Sequence, residues 1–425
     1  MLDPTLLRDH PDDVRRGVRA KRIEGAEAAL DELLLADEEH RLLRQDLEAK
    51  QARRNADSKR IGELKRSGED ASALIRAMGE LSSEVKRLEE RERALRERIE
   101  RLHLEIPNLP HESVPAGESE HDNVVVHERP GTAPVGGVRP HWDTMTALGW
   151  LDLEAGTKIA GAGFPVVRGD GVRLFGALER FFLDRLVQAG FAEVRVPLLA
   201  NPASATATGQ LPDKEGQMYR VEDGLYLIPT SEVAVTNLHR DEILDTASLP
   251  VRYCASTPCF RREAGSYGKE VRGLNRVHQF DKIEMVAFTE PDEGYAMLET
   301  MTELAEAMLD ALGLTYRRLL MCTADMGFTQ AKKYDLEVWS PGQERWLEVS
   351  SISTMTDFQA RRLKARARPG GPSGSGKTVL VHTLNGSALA LPRTVAALVE
   401  TYQLETGGVM VPAALEPYLG SGPLI

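Results

Sequence analysis

Arginine, aromatic and carboxylate residues are concentrated between residues 258 and 287, which read PCFRREAGSYGKEVRGLNRVHQFDKIEMVA. Arg261 and Arg262 stand near the start of this segment, Phe280 stands near its end, and Glu284 follows. Arginine forks grip phosphate or carboxylate, an aromatic face can stack on a base, and a carboxylate can hold an ammonium or a hydroxyl. These residue types in this order suit a nucleotide triphosphate bound beside an amino acid.

The same segment predicts a hairpin. Two stretches of alternating residues are joined by Ala264–Gly273, which is rich in small and charged residues, and this pattern is typical of paired strands and their loop. The arginines would lie where the first strand ends, and Glu284 would lie on the returning strand. A charged surface hairpin is the alternative, but three other segments supply complementary chemistry.

A hydroxyl and a carboxylate stand two residues apart at Thr230 and Glu232. On an extended segment they would face the same way and could bind an ammonium. A helix that starts after Pro229 is equally compatible with the sequence, with Glu232 in its first turn.

A second polar segment, Trp346–Ser353, carries oxygen ligands of the kind that suit Mg²⁺. Glu348 and Ser350 would share one face of a strand, with Ser351 on the other face unless the strand bends. A polar edge strand is the alternative interpretation.

A third polar segment, His382–Ser387, runs into a predicted helix that carries Arg393. Asn385 and Ser387 at a strand-to-helix turn suit a small polar ligand, or they cap the helix. Arg393 can reach a phosphate from the helix or can be a surface charge.

Residues 371–378, GPSGSGKT, satisfy the P-loop pattern GxxxxGK[ST]. A P-loop must follow a buried strand and open a helix. The arginine-rich residues 361–368 do not suggest a strand, whereas residues 379–383 predict a strand and not a helix. We interpret the match as a coincidence in a flexible Gly/Ser loop; a coiled-coil NTPase is the competing hypothesis.

Residues 27 to 104 contain almost no Pro or Gly, and their second half has a heptad seam. A turn signal at Ser67–Asp70 separates this half from a less regular first half. The pattern predicts two helices folded back as an antiparallel hairpin, with a parallel dimeric coiled coil as the alternative. The seam residues are Leu74, Met78, Leu81, Val85, Leu88, Leu95, Ile99 and Leu102, with Glu92 at the polar position.

The arm is locally basic although the chain carries a net charge of −12. Residues 41 to 66 contain nine Lys or Arg and four acids, so the net charge is 9 − 4 = +5. This surface is a candidate for contacts to nucleic-acid phosphates, and a solvated helix face is the alternative.

The rest of the chain predicts an α+β body. Six prolines between residues 105 and 140 prevent a regular helix there. Short β-rich segments and few strict βα alternations then indicate a mostly antiparallel sheet flanked by helices. Helices are expected at 171–189, 292–312 and 387–405, and strands at 191–199, 225–229, 251–260, 277–289, 316–322, 335–339, 345–353 and 378–384.

Composition narrows the class of protein. A chain of 425 residues is expected to form two or three domains. We expect no signal peptide and no transmembrane helix, because the sequence has no matching apolar run. Three cysteines without a CxxC pair, Cys254, Cys259 and Cys322, argue against a disulfide framework or a structural zinc site and favour the cytoplasm.

Together these segments resemble bacterial seryl-tRNA synthetases, which are class II aminoacyl-tRNA synthetases. FRREAGSYGKEVRGLNRVHQFDKIEM resembles motif 2 of that family nearly end to end, and GFAEVRVPLL, with Pro197, is similar to motif 1, which builds the dimer interface. The resemblance implies a six- to seven-stranded antiparallel sheet. It also implies an N-terminal tRNA-binding domain (1–106, arm about 27–104), a linker (107–140) and a catalytic domain (141–425).

The resemblance implies ATP-dependent activation of serine to seryl-adenylate and transfer of serine to tRNA(Ser), and also to tRNA(Sec), by a cytoplasmic homodimer that uses Mg²⁺. A paralogue that activates an amino acid for another acceptor is the alternative. The implied serine ligands are Thr230, Ser231, Glu232, Arg261, Glu284 and Ser387. The implied ATP ligands are Arg261, Arg262, Glu263, Val277, Phe280, Glu348, Val349, Ser350, Ser351 and Arg393. The implied catalytic residues are Arg261 and Arg393, the implied metal ligands are Glu348 and Ser351, and the implied tRNA contacts are Lys50, Arg53, Arg54, Lys59 and Arg60.

Two features depart from the family pattern. In motif 3 this chain has Ala388 and Pro392 where the family usually has glycine. Proline is tolerated in the first turn of a helix, so the helix is expected to begin near Leu391. The loop at 368–377 is also longer and richer in glycine than usual.

Overall fold

A computed structural model of the chain describes residues 1–134, 138–213, 216–263 and 272–425. These residues form two compact units, Met1–Pro107 and Asn108–Ile425. None of the helices in these ranges combines the length and the hydropathy needed to span a membrane.

The first unit is helical and is dominated by the predicted hairpin. Its helices are α1 (Pro4–Asp9), α2 (Pro11–Ala20), α3 (Ala26–Ser67) and α4 (Ser72–Glu105). Helix α3 ends at Gly68, whose φ of 77° is the left-handed conformation that glycine adopts without strain. The predicted turn signal at this point is therefore correct.

The two long helices pack against each other in antiparallel orientation. Leu43 shares an apolar cluster with Leu95, and the polar seam position Glu92 lies 2.8 Å from Nε2 of His40. Because α3 and α4 already fill each other's seam, the alternative of a parallel dimeric coiled coil is wrong for these heptads.

The second unit is the α+β body that the sequence predicts. Its helices are α5 (His141–Ala147), α6 (Leu153–Ala160), α7 (Asp170–Gln188), α8 (Pro202–Ala207), α9 (Glu232–Thr236), α10 (Gly294–Ala311), α11 (Phe358–Leu363), α12 (Leu391–Tyr402) and α13 (Glu416–Leu419). Its strands are β1 (Val124–Arg129), β2 (Leu151–Asp152), β3 (Val166–Val167), β4 (Ala192–Glu193), β5 (Leu199–Ala200), β6 (Tyr226–Leu227), β7 (Ile243–Asp245), β8 (Val251–Phe260), β9 (Gln279–Thr289), β10 (Tyr316–Leu320), β11 (Lys332–Ser340), β12 (Arg345–Thr356), β13 (Arg366–Arg368), β14 (Val379–Leu380), β15 (His382–Ala390), β16 (Val409–Met410) and β17 (Pro423–Leu424).

Within the described residues the main sheet has eight strands in the order β1-β10-β11-β12-β15-β9-β8-β4. Every neighbouring pair is antiparallel except β4 and β8. The α+β class is confirmed. The strand count exceeds the expected six or seven because two edge strands, β1 and the two-residue β4, also pair with the sheet.

The two faces of the sheet have different roles. One face, which includes Ile283, Met285 and Leu384, packs with α7, α10 and α12 in the largest apolar cluster. The other face packs on α9 and α11 only at one end, through a smaller cluster that includes Val286 and Phe288. Alternate residues of the central strands therefore point away from the core and are available to line a site.

Three local predictions need correction. The helix predicted at 387–405 begins only at Leu391, because residues 387–390 continue β15, although the start near Leu391 inferred from Pro392 is correct. The segment predicted as one strand at 191–199 contains only β4 and the first residue of β5. Residues 361–368 were predicted not to form a strand, but the last three of them form β13, which follows α11 and pairs with β7 and β14.

Candidate active site

Strands β8 and β9 form the predicted hairpin. They pair in antiparallel register from Val251 with Phe288 to Phe260 with Gln279. The loop was predicted at Ala264–Gly273; residues 264–271 of it lie outside the described residues.

The hairpin borders a cleft of about 450 Å³ over the open face of the sheet. All four predicted segments reach it, although they are far apart in the sequence. The predicted residues that line it are Thr230, Glu232, Arg261, Glu263, Val277, Phe280, Glu284, Glu348, Val349, Ser350, Ser351, Ser387 and Arg393. Arg262 and Ser231 are not among the lining residues: Arg262 is exposed and Ser231 is fully buried.

The floor of the cleft holds a buried ion pair. Glu284 is 1 % exposed and Lys282 is 5 % exposed, and Nζ of Lys282 lies 2.6 Å from Oε2 of Glu284. The same ammonium donates to Oγ1 of Thr230 at 2.9 Å. Glu284 also accepts from Nδ2 of Asn385 at 2.9 Å and from Oγ of Ser387 at 3.3 Å.

Glu232 is a second buried carboxylate beside this pair. It opens helix α9, so the helix-start interpretation is correct and the extended one is wrong. Gln359 and Asn385 donate to its two oxygens at 2.8 and 3.1 Å. Burial and the nearby negative charge of Glu284 raise the pKa of Glu232 to about 7.

Asn385 links the two carboxylates, because its Nδ2 donates to both Glu232 and Glu284. Its other side-chain atom, Oδ1, is buried and has no hydrogen-bond partner among the described residues. A buried acceptor without a partner is uncommon, and Asn385 is one of the residues that line the cleft.

An arginine and an aromatic ring form one side of the cleft. The guanidinium of Arg261 lies 5.2 Å from the centre of the Phe280 ring, and its Nε donates to the carbonyl oxygen of Pro229 at 3.2 Å. Glu263, with φ 47°, accepts from Nε of Arg276 at 2.6 Å. This edge can hold both a flat ring and negative charge.

Arg393 enters the cleft from the first turn of α12. Its Nε donates to the carbonyl oxygen of Asn275 and its Nη1 to that of Glu348, both at 2.8 Å. Burial raises the pKa of the Glu348 carboxyl, but the positive charges of Arg393 and Lys333 outweigh this and lower it overall. Glu348 is therefore ionised at neutral pH.

A β-bulge decides which residues of β12 face the cleft. Opposite β11, Ser351 pairs with Asp335 and Glu348 pairs with Glu337, and the register shifts between them. The extra residue brings Glu348 and Ser351 to the same face, so the expectation that Glu348 shares its face with Ser350 is wrong. Ser350 instead is buried and donates to the carbonyl oxygen of Ser387.

Asp335 lies next to this pair of oxygen ligands. Burial raises its pKa to about 7, although Lys333, 3.2 Å away, opposes the change. Its Oδ1 is a buried acceptor with no hydrogen-bond partner in the described part of the chain. No group of three or more His, Cys, Asp or Glu in that part could hold a metal by itself, so a cation here would need oxygens from a ligand.

Sequence reasoning did not assign several residues that line the cleft or contact its lining. Lys282 stands two residues before Glu284 on one strand, so the alternation of strand faces could have identified it. Gln359 and Asp335 lie in a helix and a strand whose sequences carry no local sign of a site. Their roles become visible only through the pairing of distant segments.

The P-loop match has the wrong surroundings. Residues 371–378 follow the three-residue strand β13 and precede strand β14, whereas a P-loop must open a helix. The carbonyl oxygen of Gly371 accepts from Nε of Arg368 at 2.9 Å and from the nitrogen of Gly374 at 3.1 Å. The match is therefore a hydrogen-bonded turn and not a phosphate cradle.

The five predicted phosphate contacts on α3 differ in their surroundings. Lys50 lies 3.0 Å from Glu84 and 3.3 Å from Asp46, and Arg53 lies 3.6 Å from Asp57. Among the described residues, the remaining three have no acidic partner: Arg54, Lys59 and Arg60.

Two family models match this chain. Residues 1–110 match the seryl-tRNA synthetase N-terminal domain, and residues 218–402 match the tRNA synthetase class II core domain (G, H, P, S and T). A curated relative from Salinibacter ruber, named serine--tRNA ligase, is 51% identical over 99% of this chain and 98% of its own length.

Solved structures agree with these matches. The seryl-tRNA synthetase from Pyrococcus horikoshii, complexed with ATP, is 34% identical with a TM-score of 0.95, and covers 100% of this chain and 99% of that one. The cytoplasmic serine-tRNA ligase from Naegleria fowleri, in complex with AMP, is 29% identical with a TM-score of 0.88, over 100% of this chain and 98% of that one.

Proposed function

This chain belongs to the seryl-tRNA synthetase family, and we propose which residues of its cleft carry out serine activation and the charging of tRNA. The reaction consumes ATP, forms seryl-adenylate and transfers the seryl group to tRNA. The observation that carries the assignment of residues is the buried polar floor formed by Glu284, Lys282 and Asn385 beside Arg261.

Glu284 is the residue that we assign to the serine side chain. A carboxylate has about four acceptor sites, and Lys282, Asn385 and Ser387 fill three of them. The site that remains can accept the serine hydroxyl. Alanine has no such donor, and it would leave a buried acceptor unfilled, which is the physical basis of its rejection.

The serine ammonium is assigned to Glu232 and Thr230, and its carboxylate to Arg261. Glu232 lies beside Glu284 with no cation of its own, because Lys282 already pairs with Glu284. A bound ammonium supplies the missing positive charge. Oδ1 of Asn385, in the same floor, is a further acceptor without a partner among the described residues.

ATP is assigned to the opposite side of the cleft. The Phe280 ring offers a face to adenine, with the backbone around Val277 at its edge. Arg261 and Arg393 would bind phosphate oxygens from two directions, while Glu263 fixes Arg276. Arg262 is exposed outside the lining, so we assign it an outer contact to ATP.

Glu348 and Ser351 fit a magnesium site in part. They share one strand face, Glu348 is ionised, and the buried carboxylate of Asp335 lies opposite Ser351 on the neighbouring strand. Two or three protein oxygens, completed by ATP phosphates and water, suit Mg²⁺. A bound Mg²⁺ would neutralise negative charge on the phosphates.

The chemistry needs no protein nucleophile. The serine carboxylate attacks the α-phosphorus of ATP, and the bond to the bridging oxygen breaks as pyrophosphate leaves. Arg261 and Arg393 stabilise the charge that develops, and the rigid hairpin aligns the reactants. The terminal ribose hydroxyl of the tRNA then attacks the seryl carbonyl carbon, and AMP leaves.

The basic face of α3 is proposed to hold tRNA. Arg54, Lys59 and Arg60 lack acidic partners among the described residues, so their charge is available to phosphates. Lys50 and Arg53 share theirs with acids. If tRNA charging depends on these basic residues, the chain is a tRNA-charging enzyme and not a paralogue that loads another acceptor.

A homodimer and a cytoplasmic location are also proposed. Val172 and Val187 of α7 are 53 % and 45 % exposed, next to the segment that resembles motif 1. Light scattering should give twice the mass of one chain. All three cysteines are unpaired thiols in buried positions, which suits a reducing compartment.

Serine-dependent exchange of pyrophosphate into ATP tests the function directly. Serine should support exchange, and alanine and threonine should not. Glu284→Ala should lower kcat/KM for serine by about 100-fold or more. Unchanged serine activation in that variant would refute the assignment of Glu284, whereas exchange driven by another amino acid would refute the substrate.

A further inference from the structure

A fully buried histidine–glutamate pair lies outside the residues that line the cleft. His141 opens α5 and Glu400 lies near the end of α12, and neither side chain is exposed. Nδ1 of His141 lies 2.8 Å from Oε1 of Glu400, and the main-chain nitrogen of His141 donates to the same oxygen at 2.9 Å. Burying a carboxylate costs free energy unless hydrogen bonds and a partner compensate for the lost water.

The other ring nitrogen of His141 binds the main chain at Leu274, in the segment that leads into strand β9. Nε2 accepts from the main-chain nitrogen of Leu274 at 3.0 Å. Because a backbone N–H can only donate, Nε2 carries no proton and Nδ1 donates to Glu400. The preceding Gly273 has φ 62°, and a Cβ there would lie 2.4 Å from Nε2, so the backbone approaches the ring as closely as glycine allows.

Glu400 is connected to the same segment, at Asn275, by a second route of hydrogen bonds. It accepts from Ser340, from the nitrogen of Gly342 at 3.0 Å and from Nε2 of Gln343 at 3.1 Å. Oε1 of Gln343 in turn accepts from Nδ2 of Asn275 at 2.7 Å. Burial raises the pKa of Glu400, but the hydrogen bonds from His141 and Ser340 outweigh it and lower the pKa.

Both routes end beside Arg393. Nε of Arg393 donates to the carbonyl oxygen of Asn275, and Nη1 to that of Glu348, at 2.8 Å each. Glu348 follows the β11–β12 turn that Glu400 holds. Arg393 and Glu400 are seven residues apart on α12, which places them on one face of the helix.

We propose that His141, acting with Glu400, is a positioning residue for ATP: it fixes Leu274 and Asn275, and through the carbonyl of Asn275 it aims Arg393. This inference rests on the proposed contact between Arg393 and ATP. The network makes no hydrogen bond to Glu284, Lys282 or Thr230, so its loss should affect ATP and spare serine.

Two substitutions of His141 separate the two halves of the ring. His141→Asn keeps an N–H near Nδ1 for Glu400 but removes the acceptor for Leu274, whereas His141→Gln keeps an acceptor near Nε2 and loses the donor. In pyrophosphate exchange, His141→Asn should raise KM for ATP roughly tenfold, because it strands a buried N–H beside the ATP site. His141→Gln should raise it clearly less, and KM for serine should stay within about twofold in both variants.

Gln343→Ala cuts the second route at a half-buried side chain and leaves the His141–Glu400 pair intact. It should raise KM for ATP selectively, and it decides the question if His141→Asn does not fold. A purely structural role predicts equal losses of thermal stability in both His141 variants, with ATP and serine KM unchanged or raised together. Either of those kinetic results would overturn the inference.

Arg393→Gln distinguishes this inference from the function on which it rests. If Arg393→Gln raises KM for ATP but His141→Asn and Gln343→Ala do not, the positioning role is wrong and the ATP assignment stands. If Arg393→Gln itself leaves KM for ATP unchanged, the proposed contact of Arg393 with ATP is wrong.

Discussion

Removing the lysine from the floor of the cleft should both destabilise the catalytic unit and disable serine binding. Lys282→Met keeps most of the side-chain volume but removes the ammonium that lies 2.6 Å from Glu284 and 2.9 Å from Thr230. Glu284, only 1 % exposed, then keeps two hydrogen bonds and no cation. Glu232, which shares Asn385 with it, adds a second buried carboxylate.

The expected cost follows from the geometry. Breaking a buried ion pair by removing one partner costs about 3–5 kcal/mol, and the donors that Glu284 retains place this variant near the lower end, at about 3 kcal/mol. For a unit of this size that corresponds to a fall in Tm on the order of 5 °C. Serine-dependent exchange should fall by about 100-fold or more, because Glu284 and Thr230 both lose the ammonium that holds them in place.

A double-mutant cycle tests the reasoning. Glu284→Gln alone should lower the free energy of unfolding by a similar amount, because it leaves Lys282 buried without its carboxylate. The double variant Lys282→Met with Glu284→Gln removes both charges, so its loss of stability should be about 2 kcal/mol smaller than the sum of the two single losses. Urea denaturation and thermal unfolding measure each corner of the cycle. Lys364→Met is the matched control, because its side chain is 72 % exposed at 3.9 Å from Asp241 and should change stability by less than about 0.5 kcal/mol.

Additive losses in the double variant would refute the idea that Lys282 and Glu284 form one charged unit. A Tm of Lys282→Met equal to that of the Lys364→Met control would refute it as well.

Three further outcomes are expected. Because the pKa of Glu232 is raised to about 7, this carboxyl is protonated in the empty pocket at lower pH, so KM for serine should rise as the pH falls below 7. Glu232→Gln should abolish that dependence. A KM for serine that does not change with pH in the parent enzyme would contradict the ammonium assignment. Replacing Arg54, Lys59 and Arg60 with Ala should raise KM for tRNA about tenfold and weaken its salt dependence, while pyrophosphate exchange without tRNA stays unchanged. If the variant charged tRNA as well as the parent enzyme at every salt concentration, the proposed role of the arm would be wrong. Lys377→Ala should leave exchange unaffected, and a loss of ATP turnover would revive the NTPase hypothesis.

The parts of the structure that the sequence predicts well depend on local patterns. The arm follows from heptads and one glycine turn, and the hairpin β8–β9 follows from alternation on both sides of a loop. The heptad pattern also predicts that Glu92 is the polar position of the seam. Its partner His40 was not, because nothing in a single helix tells which residue of an antiparallel neighbour will lie opposite.

The errors concern non-local pairing. Whether Glu348 shares a face with Ser350 or Ser351 depends on a bulge whose position is set by the register of β12 against β11. Alternation alone gives the wrong face, since one extra residue reverses every side chain beyond it. The helix start at Glu232 similarly depends on packing of α9 against the sheet, and the short segment favours neither interpretation.

The proposed serine site has an imbalance of charge that a bound amino acid would correct. Glu232 and Glu284 are both buried and both accept from Asn385. Lys282 forms its ion pair with Glu284 and not with Glu232. The floor therefore holds two carboxylates and one lysine, and burial together with the negative charge of Glu284 raises the pKa of Glu232 to about 7. A ligand with an ammonium restores the balance, and one that also has a short hydroxyl fills the remaining acceptor site of Glu284. If these assignments hold, the selectivity for serine arises from two requirements, one of charge and one of hydrogen bonding, and an amino acid without a hydroxyl meets only the first.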